Sequence, residues 1–202
     1  ALCVTEGRST RPADMHTRID GLHIDGRKDF VTAAECADWL LVAAREDGPG
    51  EAPRLVLDAD ALMLLTPAML TREVPMLATP HDGELEALCR SFGVIAETRR
   101  DRALALARVS GMVVLAKGPD SIVAAPDGRL ALGQPAPSWL SVAGTGDVLA
   151  GIAASRMANG ADPFTAACEA LWLHGEAARR AGAAFTPTQL AEQVSEALAA
   201  AL

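Results

Sequence analysis

The sequence predicts an α/β fold of three layers, with helices on both faces of a mostly parallel central sheet. Three apolar runs carry that prediction: Arg54-Leu55-Val56-Leu57, Met76-Leu77-Ala78 and Met112-Val113-Val114-Leu115-Ala116. Their hydrophobicity is continuous rather than alternating, as in strands buried on both faces of a parallel sheet. Each run ends in polar or Gly-rich residues: Asp58-Ala59-Asp60, Thr79-Pro80-His81-Asp82-Gly83-Glu84 and Lys117-Gly118-Pro119-Asp120. In open α/β sheets the ligand lies beyond the carboxyl ends of the strands, so three such tips point to one shared cleft.

From the amino end, Glu6 to Asp20 reads as loop, and Gly21-Leu22-His23-Ile24 as a strand ending at Asp25-Gly26. Ala33 to Arg45 reads as a helix, with Cys36, Ala37, Leu40, Leu41 and Ala44 on one side. Gly48-Pro49-Gly50 reads as a plain turn. Connecting helices are predicted over Gly83 to Phe92 and Arg99 to Val109. Ser121 to Ala125 and Leu130 to Leu132 flank Pro126-Asp127-Gly128, a hairpin signal. The C-terminal third is helical. One helix starts near Asp147, and another at Asp162-Pro163, an N-cap followed by Pro at the first helical position. Phe164, Ala167, Cys168, Leu171, Gly175 and Ala178 recur along it at helical spacing. A last helix opens at Thr186-Pro187-Thr188-Gln189, whose Thr and Gln have capping-box spacing. No internal repeat is present, and residues 1–202 read as a single domain.

Half of the residues are hydrophobic but only 3% are aromatic, so the core must be built from Ala, Val and Leu. A net charge of −8 argues against a nucleic-acid or anionic-membrane surface. It leaves a nucleotide open, because backbone amides and one or two Lys residues can bind phosphate locally. Cys3, Cys36, Cys89 and Cys168 form no C-x-x-C pair and read as thiols in a reducing compartment. His16, His23, His81 and His174 lack zinc-ligand spacing, so no metal site made by protein alone is expected. No apolar run approaches about 18 residues and no signal-peptide pattern is seen, so a cytoplasmic protein is expected.

Ala143-Gly144-Thr145-Gly146-Asp147-Val148-Leu149-Ala150-Gly151 is the most informative stretch. Small residues at a helix start bare backbone N–H groups, which attract phosphate together with the helix dipole. Asp147 then stands where it could take a proton from a hydroxyl. That pairing suggests phosphoryl transfer. Taken alone, such a string serves as a helix cap equally often.

Five pieces in order extend the pattern: Val56-Leu57-Asp58-Ala59-Asp60-Ala61-Leu62, Thr79 to Glu84, Lys117-Gly118-Pro119-Asp120-Ser121, Gly144 to Gly151, and Leu173-His174-Gly175. Together they resemble the ribokinase-like superfamily and, within it, the ADP/ATP-dependent NAD(P)H-hydrate dehydratase family. The resemblance covers about residues 53 to 182. It implies a ribokinase-like fold, with Asp147 as the catalytic acid/base residue and Gly144, Thr145 and Gly146 as the anion hole. Lys117, Gly118, Pro119, Asp120 and Ser121 would line an adenine nucleotide together with Gly146. His81, with Asp147, would contact hydrated NADH or NADPH. Glu84 falls where the superfamily keeps a carboxylate near metal and phosphate, and reads equally as a cap of the helix that follows, just as His81 reads equally as a loop-packing residue. The implied reaction removes water from the hydrated nicotinamide ring, using ADP or ATP with Mg²⁺. Relatives of this family often associate, so a homo-oligomer is expected.

The chain also departs from that pattern. The family's amino-terminal βαβ portion and its Gly-Pro-Gly-Leu-Gly loop have no clear counterpart, so that part of the family domain reads as incomplete. Ile24-Asp25-Gly26-Arg27 stands roughly in the loop's place, and Met63 stands where Asn is usual. Two other readings use the same residues: a small-molecule kinase of the superfamily, and a nucleotide-binding relative without catalysis. His174, on a helix rich in Ala and Leu, reads as a core or interface histidine. Asp58 and Asp60 are not separated by sequence alone. Trp139 reads as a packing residue beside the anion hole.

Overall fold

The structure is a computed structural model that describes residues 54–70, 74–201 and five short strand segments before them. The backbone falls into two compact units, Ala1–Leu55 and Val56–Leu202. The first contains β1 (Leu2–Cys3), β2 (Arg18–Asp20), β3 (His23–Asp25), β4 (Leu41–Val42) and β5 (Arg45–Glu46). β1 runs parallel to β4. β2 lies between β3, which is antiparallel to it, and β5, which is parallel.

Two expectations are corrected here. Leu41–Val42 and Arg45 are extended, not helical, because backbone pairing with Leu2–Cys3 and with Arg18–Ile19 overrides a local spacing signal. Positions 33–40 of that predicted helix, and the turn at 48–50, lie outside the described residues. Arg18–Asp20 forms a strand inside the predicted loop, paired with the His23–Asp25 strand that the sequence indicates.

The second unit is built on a sheet. Its strands are β6 (Leu55–Leu57), β7 (Met76–Ala78), β8 (Val113–Ala116), β9 (Ile122–Ala124) and β10 (Leu130–Leu132). The order across the sheet is β10-β9-β8-β7-β6. β7 and β8 are parallel, with Leu77 opposite Val113. The β9–β10 hairpin closes the other edge antiparallel, at the predicted turn, where Gly128 takes φ 95°.

Every residue of β7, β8 and β9 is buried, as continuous apolar runs require. Side chains alternate between the two faces. Leu77, Val113, Leu115 and Val123 join one core with α4 (Thr145–Ala158), α5 (Pro163–Ala181) and α6 (Pro187–Ala199). On the other face α3 (Arg99–Ser110) packs on β8 and β9 and carries α2 (Asp82–Ser91). Helices thus cover both faces. Ala153, Ala166, Ala170, Ala177 and Ala197 are buried in this core, and such small side chains let layers close without aromatics.

The helix boundaries follow their caps. Asp162 accepts from Phe164 N–H and Thr165 N–H ahead of Pro163. Thr186 and Gln189 form the predicted capping box. α3 stops at Gly111, which takes φ 78°. A short helix, α1 (Asp60–Leu64), follows β6; the sequence shows no helical repeat over so few residues. Among the described residues no helix is long and apolar enough to cross a membrane.

Candidate active site

Three strand tips converge as the continuous apolar runs predict. Asp58 follows β6, Thr79 follows β7 and Lys117 follows β8. Lys117 Nζ lies 2.6 Å from Asp58 Oδ1 and 4.0 Å from Glu84 Oε2. The Thr79 hydroxyl donates to Asp58 Oδ1 at 2.7 Å, with the Leu57 carbonyl at 3.2 Å. Asp58 and Glu84 are both 8% exposed, so these charges are largely shielded from water and interact strongly. Asp60, in contrast, faces solvent. Between the two aspartates Ala59 takes φ 51°, a strained value for a residue with a Cβ. Strain of that kind, about 1–3 kcal/mol, persists where the surroundings over-determine it.

Glu84 is fixed by its own helix start. Its Oε2 accepts from His81 N–H at 2.8 Å, while His81 Nδ1 accepts from Gly83 N–H and Glu84 N–H. His81 therefore caps α2 through Nδ1, and its Nε2 edge lies 3.4 Å from Glu84 Oε1 on an exposed side chain. The residue expected at the substrate is also a structural cap.

The fourth component is the start of α4. Gly144 is its N-cap at φ 93°, and a Cβ there would meet Pro187 Cγ at 2.9 Å. Both features select glycine. The first helical bond runs from Val148 N–H to the Gly144 carbonyl, so the Gly146 and Asp147 amides precede it. The Thr145 hydroxyl reaches back to the Leu140 and Val142 carbonyls, each at 2.7 Å. This ties the helix start to the 3₁₀ turn Ser138–Ser141, which carries Trp139 at 44% exposure. A Cβ on Gly146 would stand 3.4 Å from Lys117 Nζ. The ammonium thus lies directly against the Gly-rich turn, and the exposed Asp147 follows Gly146 in the first turn of α4. A cation, early helix amides and a carboxylate next to them meet in one place. That arrangement can bind a polyanion and hold a proton acceptor beside it.

The loop from Lys117 to Ser121 is braced separately. Lys117 N–H donates to the Pro80 carbonyl at 2.7 Å. The Gly118 N–H donates to Ser121 Oγ at 3.1 Å, and that hydroxyl lies 3.0 Å from the Gly118 carbonyl. Arg99 forks onto Asp120, reaching its carboxylate and its carbonyl at 2.9 Å each. The guanidinium lies so close to Gly118 that any Cβ there would overlap it. Pro119 and Asp120 are exposed.

Lys117, Glu84, Gly144, Thr145, Gly146 and Asp147 are thus brought to one region, with His81 at the start of α2 on the same strand tip as Glu84. The sequence did not show the bracing contacts of Thr79 and Arg99, whose partners Asp58 and Asp120 each lie 21 residues away. It also left His174 in a packing role. His174 is buried, and its Nε2 lies 2.9 Å from the Thr145 carbonyl at the helix start.

Comparison with known proteins then gives the family. A model of the NAD(P)H-hydrate dehydratase family matches residues 33–200. The chain belongs to the NAD(P)H-hydrate dehydratase family. It is 38% identical, over 188 residues, to a bifunctional NAD(P)H-hydrate repair enzyme of Salinibacter ruber, covering 85% of this chain and 34% of that protein. It is 37% identical, over 132 residues, to an ADP-dependent (S)-NAD(P)H-hydrate dehydratase of Neisseria meningitidis, covering 61% of this chain and 44% of that one. The crystal structure of an ADP/ATP-dependent NAD(P)H-hydrate dehydratase from Bacillus subtilis, co-crystallised with ATP/Mg²⁺, superposes with a TM-score of 0.64 at 28% identity. That match covers 73% of this chain and 55% of the other. A ribokinase of Thermotoga maritima shares the fold, with a TM-score of 0.52 at 16% identity. The chain spans less than half the length of both curated relatives.

Proposed function

We propose that this protein dehydrates hydrated NADH or NADPH at the expense of ADP or ATP. The observation that carries the reading is the contact of Lys117 with the Gly144–Asp147 turn, a phosphate-binding arrangement with a carboxylate at its edge. In this reading the ring hydroxyl attacks the terminal phosphorus of the nucleotide and its proton passes to Asp147. The shortened nucleotide leaves. The C–O bond then breaks with loss of phosphate and of a proton from the neighbouring carbon, which restores the ring double bond.

In the Gly144–Gly146 turn the Thr145 N–H donates to the Val142 carbonyl at 3.3 Å, so the Gly146 N–H, ahead of the first helical bond, is the amide that stabilises charge growing on the transferred phosphoryl oxygens. One such donor is typically worth about 2.7–4 kcal/mol at the transition state. Lys117 supplies a fixed positive charge at the same phosphates, and Asp58 with Thr79 holds that ammonium in place. The loop from Lys117 to Ser121 lines the nucleoside, and His81 meets the dinucleotide with its exposed Nε2 edge.

The donor set suits a magnesium ion that arrives with the nucleotide. Among the described residues no three His, Cys, Asp or Glu gather into a metal site. Mg²⁺ is commonly held by phosphates and one or two carboxylates. Glu84, close to Lys117, would hold the water shell of such an ion, which would neutralise phosphate charge.

Incubating the protein with hydrated NADH, Mg²⁺ and ADP or ATP tests the reading. The expected products are NADH, seen by its near-ultraviolet absorbance, and inorganic phosphate. A stable phosphate ester instead would make the protein a small-molecule kinase. Nucleotide binding with no product of either kind would make it a binding protein.

A further inference from the structure

Among the buried residues of α5, His174 is polar and the others are Ala, Leu and Gly, and packing alone would be met by leucine. It lies beneath the start of α4, with Nε2 at 2.9 Å from the Thr145 carbonyl oxygen. A carbonyl oxygen can only accept, so Nε2 carries the proton and donates. Burial, reinforced by the Lys117 charge and opposed by the Thr145 contact, lowers the pKa of the ring from 6.5 to about 4. The ring is therefore neutral near pH 7.

The Thr145 carbonyl and the Gly146 N–H belong to one planar peptide unit, and in a trans peptide they point in opposite directions. A donor that grips the carbonyl from the core side therefore sets the direction of the N–H on the other side. That N–H precedes the first helical bond and faces out of the helix start. The Thr145 side chain is independently tied to Leu140 and Val142. With its hydroxyl and its carbonyl both held, this peptide has little freedom to rock. Oxyanion-type donors act through such preorganisation, because they need not reorient as charge develops.

We propose that His174 is a positioning residue that aims the Gly146 N–H at the transferred phosphoryl group by holding the Thr145 carbonyl. The inference rests on the anion-hole reading of the Gly144–Gly146 turn given above.

His174→Leu and His174→Gln in the full chain test it. Leu removes the donor and keeps an apolar side chain of comparable bulk. Gln can return an N–H donor near the place of Nε2. In His174→Leu, kcat should fall by about 10-fold, less than the roughly 100-fold for deleting an anion-hole donor outright. The KM for hydrated NADH should stay unchanged. His174→Gln should recover most of the lost rate, which a purely structural loss would not predict. Amide NMR separates this proposal from the functional one: the Gly146 amide resonance should move in His174→Leu and return towards its original position in His174→Gln.

A folded His174→Leu protein with wild-type kcat overturns the proposal. So does an unmoved Gly146 resonance, whatever the catalytic outcome. If Leu prevents folding, Gln and Asn decide: the shorter Asn should be the slower, and equal rates overturn the proposal. Wild-type protein that binds neither ADP nor ATP refutes the functional reading and this inference with it. If the wild type binds nucleotide without turnover, a Gly146 resonance that moves in His174→Leu and returns in His174→Gln would still support the geometric role.

Discussion

Replacing Lys117 with Met removes the cation at the centre of the site and leaves Asp58 behind. The ammonium is 2.6 Å from Asp58 Oδ1, and the two side chains are 19% and 11% exposed. After the change the Asp58 carboxylate keeps the Thr79 hydroxyl but faces no positive charge at that distance. Removing one member of a fully buried pair costs about 3–5 kcal/mol. The residual solvent contact here lowers the expectation to about 2–3 kcal/mol. For a chain of this size each kcal/mol moves Tm by about 2–4 °C, so a drop of roughly 4–12 °C is expected. Asp58→Asn in the same protein removes the stranded charge, and the double variant should recover much of the loss. Urea denaturation of the four proteins measures the coupling, which should exceed about 1 kcal/mol. Calorimetry with ADP should show weakened binding in both proteins that lack Lys117. If the single effects add within about 0.5 kcal/mol, the pair does not bind the two strand tips together as argued.

Gly144→Ala and Gly160→Ala share the cost of a positive φ, about 1–2 kcal/mol, but only the first would also press on Pro187. Thermal melts should show the larger loss at position 144, and only that variant should lose turnover; equal losses would contradict the contact. Stability should also depend on pH through His174. Its folded value of about 4 lies below 6.5, so the unfolded chain takes up a proton that the folded chain refuses between those values. The contribution is complete above pH 6.5 and is lost as pH falls toward 4, on the order of 3 kcal/mol in all. Denaturation at a series of pH values should show this slope, and His174→Leu should flatten it. Gly118→Ala forces the Arg99 guanidinium off the loop that it braces. Steady-state kinetics should then show a raised KM for nucleotide with little change in kcat.

The sequence already carried the signals that act locally. Asp162-Pro163 and Thr186 to Gln189 start helices as written, because caps join neighbours in the chain. The turn at Pro126-Asp127-Gly128 closes the hairpin for the same reason. The continuous apolar runs indicated which strand tips come together, and the Gly-rich string before Asp147 indicated the helix start that Lys117 meets. What stayed hidden depends on distant partners. Asp58 was ambiguous until Lys117, 59 residues away, came to it. His174 looked like core until its ring met a carbonyl 29 residues upstream. His81 read equally as a substrate contact and a loop-packing residue until its Nδ1 was seen to cap α2. Within the span read as a helix, the described residues Leu41–Val42 and Arg45 are strand, where pairing outweighs local spacing.

The most direct test of the central claim is dehydration of hydrated NADH by Asp147→Asn, assayed beside its affinity for ADP. The change removes the proton acceptor and keeps the size of a side chain that is exposed at the helix start. The account predicts loss of turnover with ADP still bound at close to wild-type strength. Dehydration at close to the wild-type rate would contradict it.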